Sequence, residues 1–396
     1  MQLKKIAILL LLSFSALGFS QEMLLSPLSK ISLLTVGTGD ELYSSFGHSA
    51  FRIQDPSIGI DRIYDYGGFD FDPPAFYLKF ARGKLNYRMS GYKTDGFLEA
   101  YRRENRWVKE QTLNLSQAER NKIFAFLQNN YRVENRYYLY DFLFDNCATK
   151  IPEVLKEGLG DKLKFNYPHI QNPFTFRQLI HQNLDENAWA TFGIDLALGA
   201  IIDRKATPWE HQFLPLYVDK QMTNTTINGE AFVTKEELLV TAKPLESGSP
   251  LLLTPLFWMI LLMLVVVVIT YFDHKNNRRN KGLDFVLFFS TGAVGLLLFF
   301  LWFMTDHVFT KANFNLLWAF PFNLVLAFIL LKSKVAPVWV KKYLWILLIG
   351  MAITGILWLF KIQIFSPLII FLLVALGIRY LFLIHSLGIS ERPQNT

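Results

Sequence analysis

Two short stretches decide how this chain is read: Phe46-Gly47-His48-Ser49-Ala50-Phe51-Arg52-Ile53 and, well downstream, Asp145-Asn146-Cys147-Ala148-Thr149. The first alternates loosely from His48 to Ile53, as a half-buried strand does, and its histidine stands at the strand's opening. The second leads into Ala148 to Glu157, which reads as a helix and puts Cys147 at a helix start. Unpaired N–H groups and the helix dipole favour a thiolate there. Cys147 is the only cysteine in the sequence, so no internal disulfide can form. It is a candidate reactive group; the bland alternative is a small buried hydrophobe.

The compartment is read from the termini of the pattern. Lys4 and Lys5 precede an apolar run from Ile6 to Leu17, and small Gly18 and Ser20 follow. Basic, apolar, small is the order of a secretory signal peptide over 1–20, and the run is too short to span a bilayer. An uncleaved N-terminal anchor is the alternative. Residues 21–250 carry charges throughout, whereas 251–386 are almost wholly apolar and aromatic.

Five segments there are long enough to cross a hydrocarbon core at about twenty residues each: 251–272, 283–304, 312–331, 343–360 and 365–386. Lys275, Arg278, Arg279 and Lys281 separate the first two, and Lys332, Lys334, Lys341 and Lys342 separate the third from the fourth. The alternate loops hold Lys311 and Lys361. Basic loops stay cytoplasmic, so the N-terminal half is expected outside and the C-terminal tail, 387–396, inside. The net charge of +7 is then largely topological, and the nucleic-acid reading it would invite is set aside.

In the N-terminal half, Ile31–Val36, His48–Ile53, Arg62–Tyr66, Leu85–Tyr92 and Trp107–Leu113 read as strands. Gly67-Gly68 and Pro73-Pro74 break the chain. Ser116-Gln117-Ala118-Glu119 is a capping box opening a helix to about Asn130, with Ile123, Phe124 and Leu127 on one face. Residues 173–222 look mostly helical. The stretch 223–250, rich in Thr, Ser and Gly, reads as a linker or a small hairpin.

A nucleophilic cysteine needs a base held by a third polar group. His274 and His385 fall on the cytoplasmic side. His48 stands out by its context, while His169, His181 and His211 suit surface or cap positions. Arg102, Arg103, Arg106 and Lys109 form a basic cluster that either meets phospholipid headgroups or is a solvated face. Tyr137, Tyr138, Tyr140, Phe142 and Phe144 line an acyl pocket or pack in the core. Asp203, Arg204 and Trp209 lie where the chain approaches the membrane and carry no catalytic expectation. Asp306 and His307 fall in a short outer loop. The spacings match no zinc pattern, Walker A loop or dinucleotide fingerprint, and no cofactor or metal is expected.

A strand opening with Gly-His-Ser-Ala-Phe ahead of Asn-Cys at a helix start resembles the circularly permuted papain-like fold, which includes permuted NlpC-like enzymes. That resemblance implies an α+β thiol domain over 21–222 with Cys147 as nucleophile and His48 as general base. The third group in such enzymes is a polar residue on the following strand; Asp65, in Ile63-Tyr64-Asp65-Tyr66-Gly67, is the choice and Asp70 the fallback.

The match is closer to one family. Gly39-Asp40-Glu41-Leu42-Tyr43, Phe46-Gly47-His48-Ser49-Ala50, Tyr66-Gly67 with Phe69-Asp70-Phe71, and Tyr140-Asp141-Phe142 with Asp145-Asn146-Cys147-Ala148-Thr149 resemble the Lnb N-terminal periplasmic domain. The spans that follow are similar to that family's all-α five-helix transmembrane domain.

This resemblance implies a lipoprotein N-acyltransferase of the bacterial inner membrane. The donor would be a phospholipid, the intermediate a Cys147 thioester, and the acceptor the α-amine of a lipoprotein's N-terminal cysteine. Backbone N–H groups around Cys147 would form the oxyanion hole. The rival readings are a cell-wall cysteine amidase or peptidase, and a non-catalytic membrane chaperone for an exported enzyme.

Overall fold

The computed structural model describes residues 23–69, 75–243, 250–333 and 337–390. The expected signal peptide and Asp70 lie outside the described residues. The first strands and helices are β1 (Lys30–Val36), β2 (His48–Asp55), β3 (Ile60–Gly68), α1 (Phe76–Ala81), β4 (Asn86–Lys93), α2 (Thr94–Arg103), β5 (Val108–Leu113), α3 (Gln117–Tyr131) and β6 (Tyr137–Leu139). There follow α4 (Lys150–Leu159), β7 (Leu163–Phe165), α5 (Phe176–His181), α6 (Trp189–Ala197), α7 (Pro215–Thr223), β8 (Thr225–Ile227), β9 (Glu230–Ala231) and β10 (Val233–Val240). The C-terminal half is α8 (Pro255–Lys275), α9 (Lys281–Phe303), α10 (Asn323–Lys332), α11 (Trp339–Leu359) and α12 (Ile369–Ser390). That last helix runs past residue 386, where the tail was expected to begin.

Seven strands make one antiparallel sheet in the order β10-β5-β1-β2-β3-β4-β6. Strand β1 is central and buried beyond Lys30, so its alternate residues serve opposite faces. On one face Ile31 and Leu33 join Phe51, Ile53 and Tyr64 beneath Ile123 and Leu127 of α3 and Ile151 and Leu155 of α4. On the other, Leu34 and Val36 join Ala50 and Ile63 against Phe97 and Leu98 of α2. Helix α3 opens with the expected capping box: Ser116 Oγ accepts from the Glu119 N–H, and the Glu119 carboxylate accepts from the Ser116 N–H.

Of the two readings of 223–250, linker or small hairpin, the structure has the hairpin, and the described part of the stretch is largely built into the fold. A small hairpin, β8–β9, pairs with β7, and β10 extends the main sheet beyond β5. Polar composition misled here because β10 is an edge strand, where Lys235, Glu236 and Glu237 on an exposed rim discourage further pairing.

Four C-terminal helices, α8, α9, α11 and α12, are long and apolar enough to cross a membrane. Outward side chains such as Leu264, Val268, Phe299 and Ile346 are exposed, a surface that suits hydrocarbon rather than water. The third expected span, 312–331, is not one helix. It enters as irregular chain with a short 3₁₀ turn at Phe314–Leu317 and becomes α-helical only in the ten residues of α10. At 1.5 Å per residue such a helix covers about half of a ~30 Å core.

The reason lies in the interruptions Asn313, Asn315, Pro321 and Asn323. Non-helical backbone at membrane depth must be satisfied within the protein. Here the Phe314 N–H donates to Gln363 Oε1 at 2.8 Å, and Trp318 Nε1 donates to Asn315 Oδ1 at 3.0 Å. Asn323 accepts from Tyr343 OH at 2.5 Å and donates to Thr291 Oγ1 at 3.0 Å. Close approach requires Gly295 and Gly350, since a Cβ at either would overlap the Ala319 or Leu317 carbonyl.

The two halves are joined rather than tethered. Asn313 Nδ2 donates to the Leu196 and Ala197 carbonyls at 2.7 and 3.0 Å. The Gly199 and Ala200 N–H groups donate to the Phe309 and Ala312 carbonyls, and the Ile364 N–H donates to Asp203 Oδ2 at 3.1 Å. Asp203 is itself paired with buried Arg177 at 2.7 Å. The N-terminal half therefore sits on the loops 304–322 and 360–368, and the basic loops lie at the opposite end of the bundle.

At that opposite end Arg379 is fully buried, with Nη1 2.8 Å from Asp273 Oδ2 and Nε 2.7 Å from Asp284 Oδ1. It ties α12 to α8 and α9. Removing one partner of such a network leaves buried charge uncompensated, at a cost of about 3–5 kcal/mol. Arg379→Met is therefore expected to lower the thermal unfolding midpoint in detergent markedly. Asp284 also has Arg279 Nε at 3.5 Å, whereas the other cation near Asp273, Arg278, is exposed; adding Asp273→Asn is therefore expected to restore part of the loss, and no recovery would show that the Asp273 charge is not what the arginine holds.

Candidate active site

Strand parity places the first two site residues. Ala50 and Ile63 face α2, so His48, two residues before Ala50, and Asp65, two after Ile63, face the same way. Ala50 pairs with Asp65 across β2 and β3, which makes His48 and Asp65 diagonal neighbours, within reach for long side chains. Gly47 sits at φ 81° with its α-carbon against the Val36 carbonyl, a turn that a side chain would obstruct. That turn delivers His48 onto the sheet.

His48 Nε2 lies 2.8 Å from Asp65 Oδ2. One ring nitrogen is thus committed to the carboxylate, leaving Nδ1 for the thiol of Cys147, with which the imidazole also interacts. Burial pulls the His48 pKa down. The nearby Tyr101 and Cys147, with the hydrogen bonds to Asp65 and Cys147, outweigh it and hold the pKa well above 6.5. Asp65 Oδ1 is buried and has no hydrogen-bond partner.

Cys147 is half-buried and lies in the turn that precedes α4, whose first helical residue is Lys150 rather than the expected Ala148. The residue that shapes this turn is Asn146. Its Oδ1 accepts from the N–H groups of Ala148 and Thr149 at 2.7 and 2.9 Å. Its Nδ2 donates to the Phe142 and Phe213 carbonyls at 2.6 and 2.9 Å. One buried amide thus caps the turn before α4 and pins it to the chain ahead of α7. Those two N–H groups are thereby committed, which excludes them as oxyanion donors. Sequence reading quoted Asn146 without giving it a role; the signal was an amide side chain just ahead of a helix.

His48 and Cys147 line a cavity of about 650 Å³, and Asp65 reaches it only through His48. Its remaining wall is mostly aromatic and includes Phe46, Tyr87, Tyr140 and Phe142. His307 and Phe309 of the membrane domain's outer loop also line it. His307 Nε2 reaches the Phe80 carbonyl at 3.2 Å, and the Asp306 N–H donates to the Arg82 carbonyl at 3.0 Å. An outer-loop position therefore did not keep His307 away from the site.

Other expectations divide. Within the aromatic run, Tyr140 and Phe142 line the cavity, Tyr138 packs against the large core, and Phe144 meets Phe176 edge to face. The basic cluster is dispersed: Arg102 and Arg103 pair with Glu99, Lys109 pairs with Asp219 and Glu236, and only Arg106 reaches the cavity. His181 pairs with Asp195 at 2.8 Å, while His211 is bonded to the Thr207 carbonyl and the Phe174 N–H. None of His169, His181 and His211 lines the cavity.

With the folded pKa of His48 raised, protonation stabilises the native state. That contribution is complete below the unfolded value near 6.5 and is lost as pH rises through the folded value. Titration of isotope-labelled histidine by NMR is expected to give His48 a midpoint above 6.5. Asp65→Asn should move it down; an unmoved midpoint would mean the carboxylate does not hold the proton there.

Residues 25–182 match the model of the Lnb N-terminal periplasmic domain, and residues 246–388 match that of the Lnb transmembrane domain. No curated protein and no solved structure matches the chain. The two matches fall on the two halves seen in the structure, a sheet-and-helix domain and an apolar helical one, and the chain belongs to the Lnb family.

Proposed function

We propose that this membrane protein is a cysteine-dependent N-acyltransferase of the bacterial inner membrane, moving a fatty acyl chain from a phospholipid to the N-terminal amine of a lipoprotein. Family membership points to lipoprotein processing. The observation that carries the finer reading is the cavity itself: a thiol beside a histidine held by a carboxylate, in an apolar chamber to which the membrane domain contributes His307 and Phe309. A soluble substrate needs no such wall. The order of His48 on β2, Asp65 on β3 and Cys147 ahead of α4 supports a permuted papain-like arrangement. The basic loops support an N-terminal half outside the cell membrane and a C-terminus inside.

In this mechanism His48, oriented by Asp65, takes the Cys147 proton. The thiolate attacks the ester carbonyl carbon; the C–O bond breaks, and the glycerol oxygen receives the proton from His48. A lysophospholipid leaves and the acyl chain remains on sulfur as a thioester. The acceptor amine then attacks that carbonyl, the C–S bond breaks, and the amine proton returns through His48 to Cys147. The scheme predicts two-step kinetics. With Ala148 and Thr149 engaged by Asn146, the Cys147 N–H is the local backbone donor assigned to the oxyanion.

Intact-mass analysis after incubation with a defined phospholipid is expected to show a hydroxylamine-labile acyl adduct. The adduct should be absent in Cys147→Ala and slowed by about 10²–10⁴-fold in His48→Ala, the usual worth of a positioned base. A wild type that binds phospholipid without forming the adduct would overturn the reading. Cleavage of cell-wall peptides by that same protein would instead establish the amidase alternative.

A further inference from the structure

Attack of a thiolate on an ester puts negative charge on the carbonyl oxygen, and preorganised donors stabilise that charge. The thiol turn is short of them. Asn146 Oδ1 takes the N–H groups of Ala148 and Thr149, and its Nδ2 is spent on the Phe142 and Phe213 carbonyls. The Cys147 N–H is left, so a second donor has to come from the cavity wall. Tyr66 and Arg106 line that wall, but Tyr66 OH and Arg106 Nη2 are buried atoms, closed to an incoming ester. The remaining guanidinium donors serve the Gly37 carbonyl and Glu104. Tyr101 also lines the cavity; its charged neighbours are His48, Asp65, Arg106 and Glu104, which puts it on the imidazole side.

Tyr140 stands on the thiol side. It lines the cavity just after β6 and interacts electrostatically with Cys147. A Cβ on Gly67 would lie 3.7 Å from Tyr140 Cε2 and 4.0 Å from Cys147 Cβ, so ring and thiol flank one point on the wall. The ring stacks on Tyr87 with centroids 4.4 Å apart, which fixes its plane. Among the described residues the Tyr140 hydroxyl has no hydrogen-bond partner. Burial and the neighbouring thiol hold its pKa well above 10, so the phenol keeps its proton while the thiolate forms.

We propose that the Tyr140 hydroxyl is the second oxyanion donor, paired with the Cys147 N–H. The inference rests on the acyl-transfer reading above and names the side chain that recognises the carbonyl. As the thiolate bonds to the ester carbon, the C=O π pair moves onto oxygen, which accepts hydrogen bonds from the phenol and the Cys147 N–H. The phenol keeps its proton throughout. When the C–O bond to glycerol breaks, the pair returns to form the thioester carbonyl, and the leaving oxygen takes its proton from His48. The same two donors meet the second oxyanion, formed when the acceptor amine attacks the thioester.

The test separates carbonyl chemistry from thiol chemistry in Tyr140→Phe. Full-length protein in an ester-free detergent is acylated with phosphatidylethanolamine and, separately, with p-nitrophenyl acetate, and Cys147 is alkylated with iodoacetamide. Alkylation needs the thiolate and its base but forms no oxyanion. Tyr140→Phe is expected to lose about 10²-fold in the acylation rate constant on both esters, the usual worth of one such donor. Its alkylation rate and the pH profile of alkylation should match wild type. Tyr101→Phe should not separate the two chemistries. Acylation of Tyr140→Phe at the wild-type rate would overturn the assignment. So would an equal loss of acylation and alkylation, which would make Tyr140 a positioning residue for the thiol. If p-nitrophenyl acetate acylates wild type and phosphatidylethanolamine does not, the phospholipid-transfer reading fails by itself, and the nitrophenyl ester still decides Tyr140. A wild type that is alkylated but acylated by neither ester would overturn both.

Discussion

The structure depends on how irregular backbone is satisfied where the two halves meet. Asn313 enters the top of the helical bundle outside any helix, and its side chain donates to the Leu196 and Ala197 carbonyls at the end of α6. The same junction pairs the Gly199 and Ala200 N–H groups with carbonyls of the outer loop. Each is a polar group that would otherwise be buried without a partner, which is costly in a low-dielectric setting. The N-terminal domain is therefore a lid on the bundle as well as a domain of its own. The catalytic-type residues acquire their position relative to the membrane domain from that interlock.

Within the domain, the thiol turn depends on one side chain. Asn146 uses its carbonyl oxygen on two N–H groups of the turn and its amide nitrogen on two distant carbonyls. A buried polar group satisfied on both sides fixes geometry more tightly than apolar packing does. It holds Cys147 while the sheet holds His48 and Asp65, so the thiol turn meets two neighbouring strands that lie about a hundred residues earlier in the chain. The raised pKa of His48 follows from that meeting: burial opposes the charge, and the neighbours that outweigh it come from β3, α2 and the thiol turn.

Much of the frame was legible in the residues. Strand alternation located β1 to β5 within a few positions, Ser116 and Glu119 announced α3, and apolar runs located α8, α9, α11 and α12. Legibility failed where local pattern and environment part company. The polar edge strand β10 read as linker, because edge strands carry charge to avoid further pairing. The third apolar run read as a full span, because hydropathy counts residues and does not register that Asn313, Pro321 and Asn323 interrupt the helix.

Sequence by itself determined the periodicities, the lone thiol, the charge asymmetry of the loops and the motifs shared with the Lnb family. All of these are properties of neighbours along the chain. Tertiary structure alone decided that Asp65 reaches His48, that Asn146 rather than bare backbone organises the thiol turn, and that His307 closes the cavity from the membrane side. Those facts belong to cross-strand register and to contacts between distant segments. They are set by which faces bury together and which polar groups must find partners there, and no periodicity along the chain encodes them.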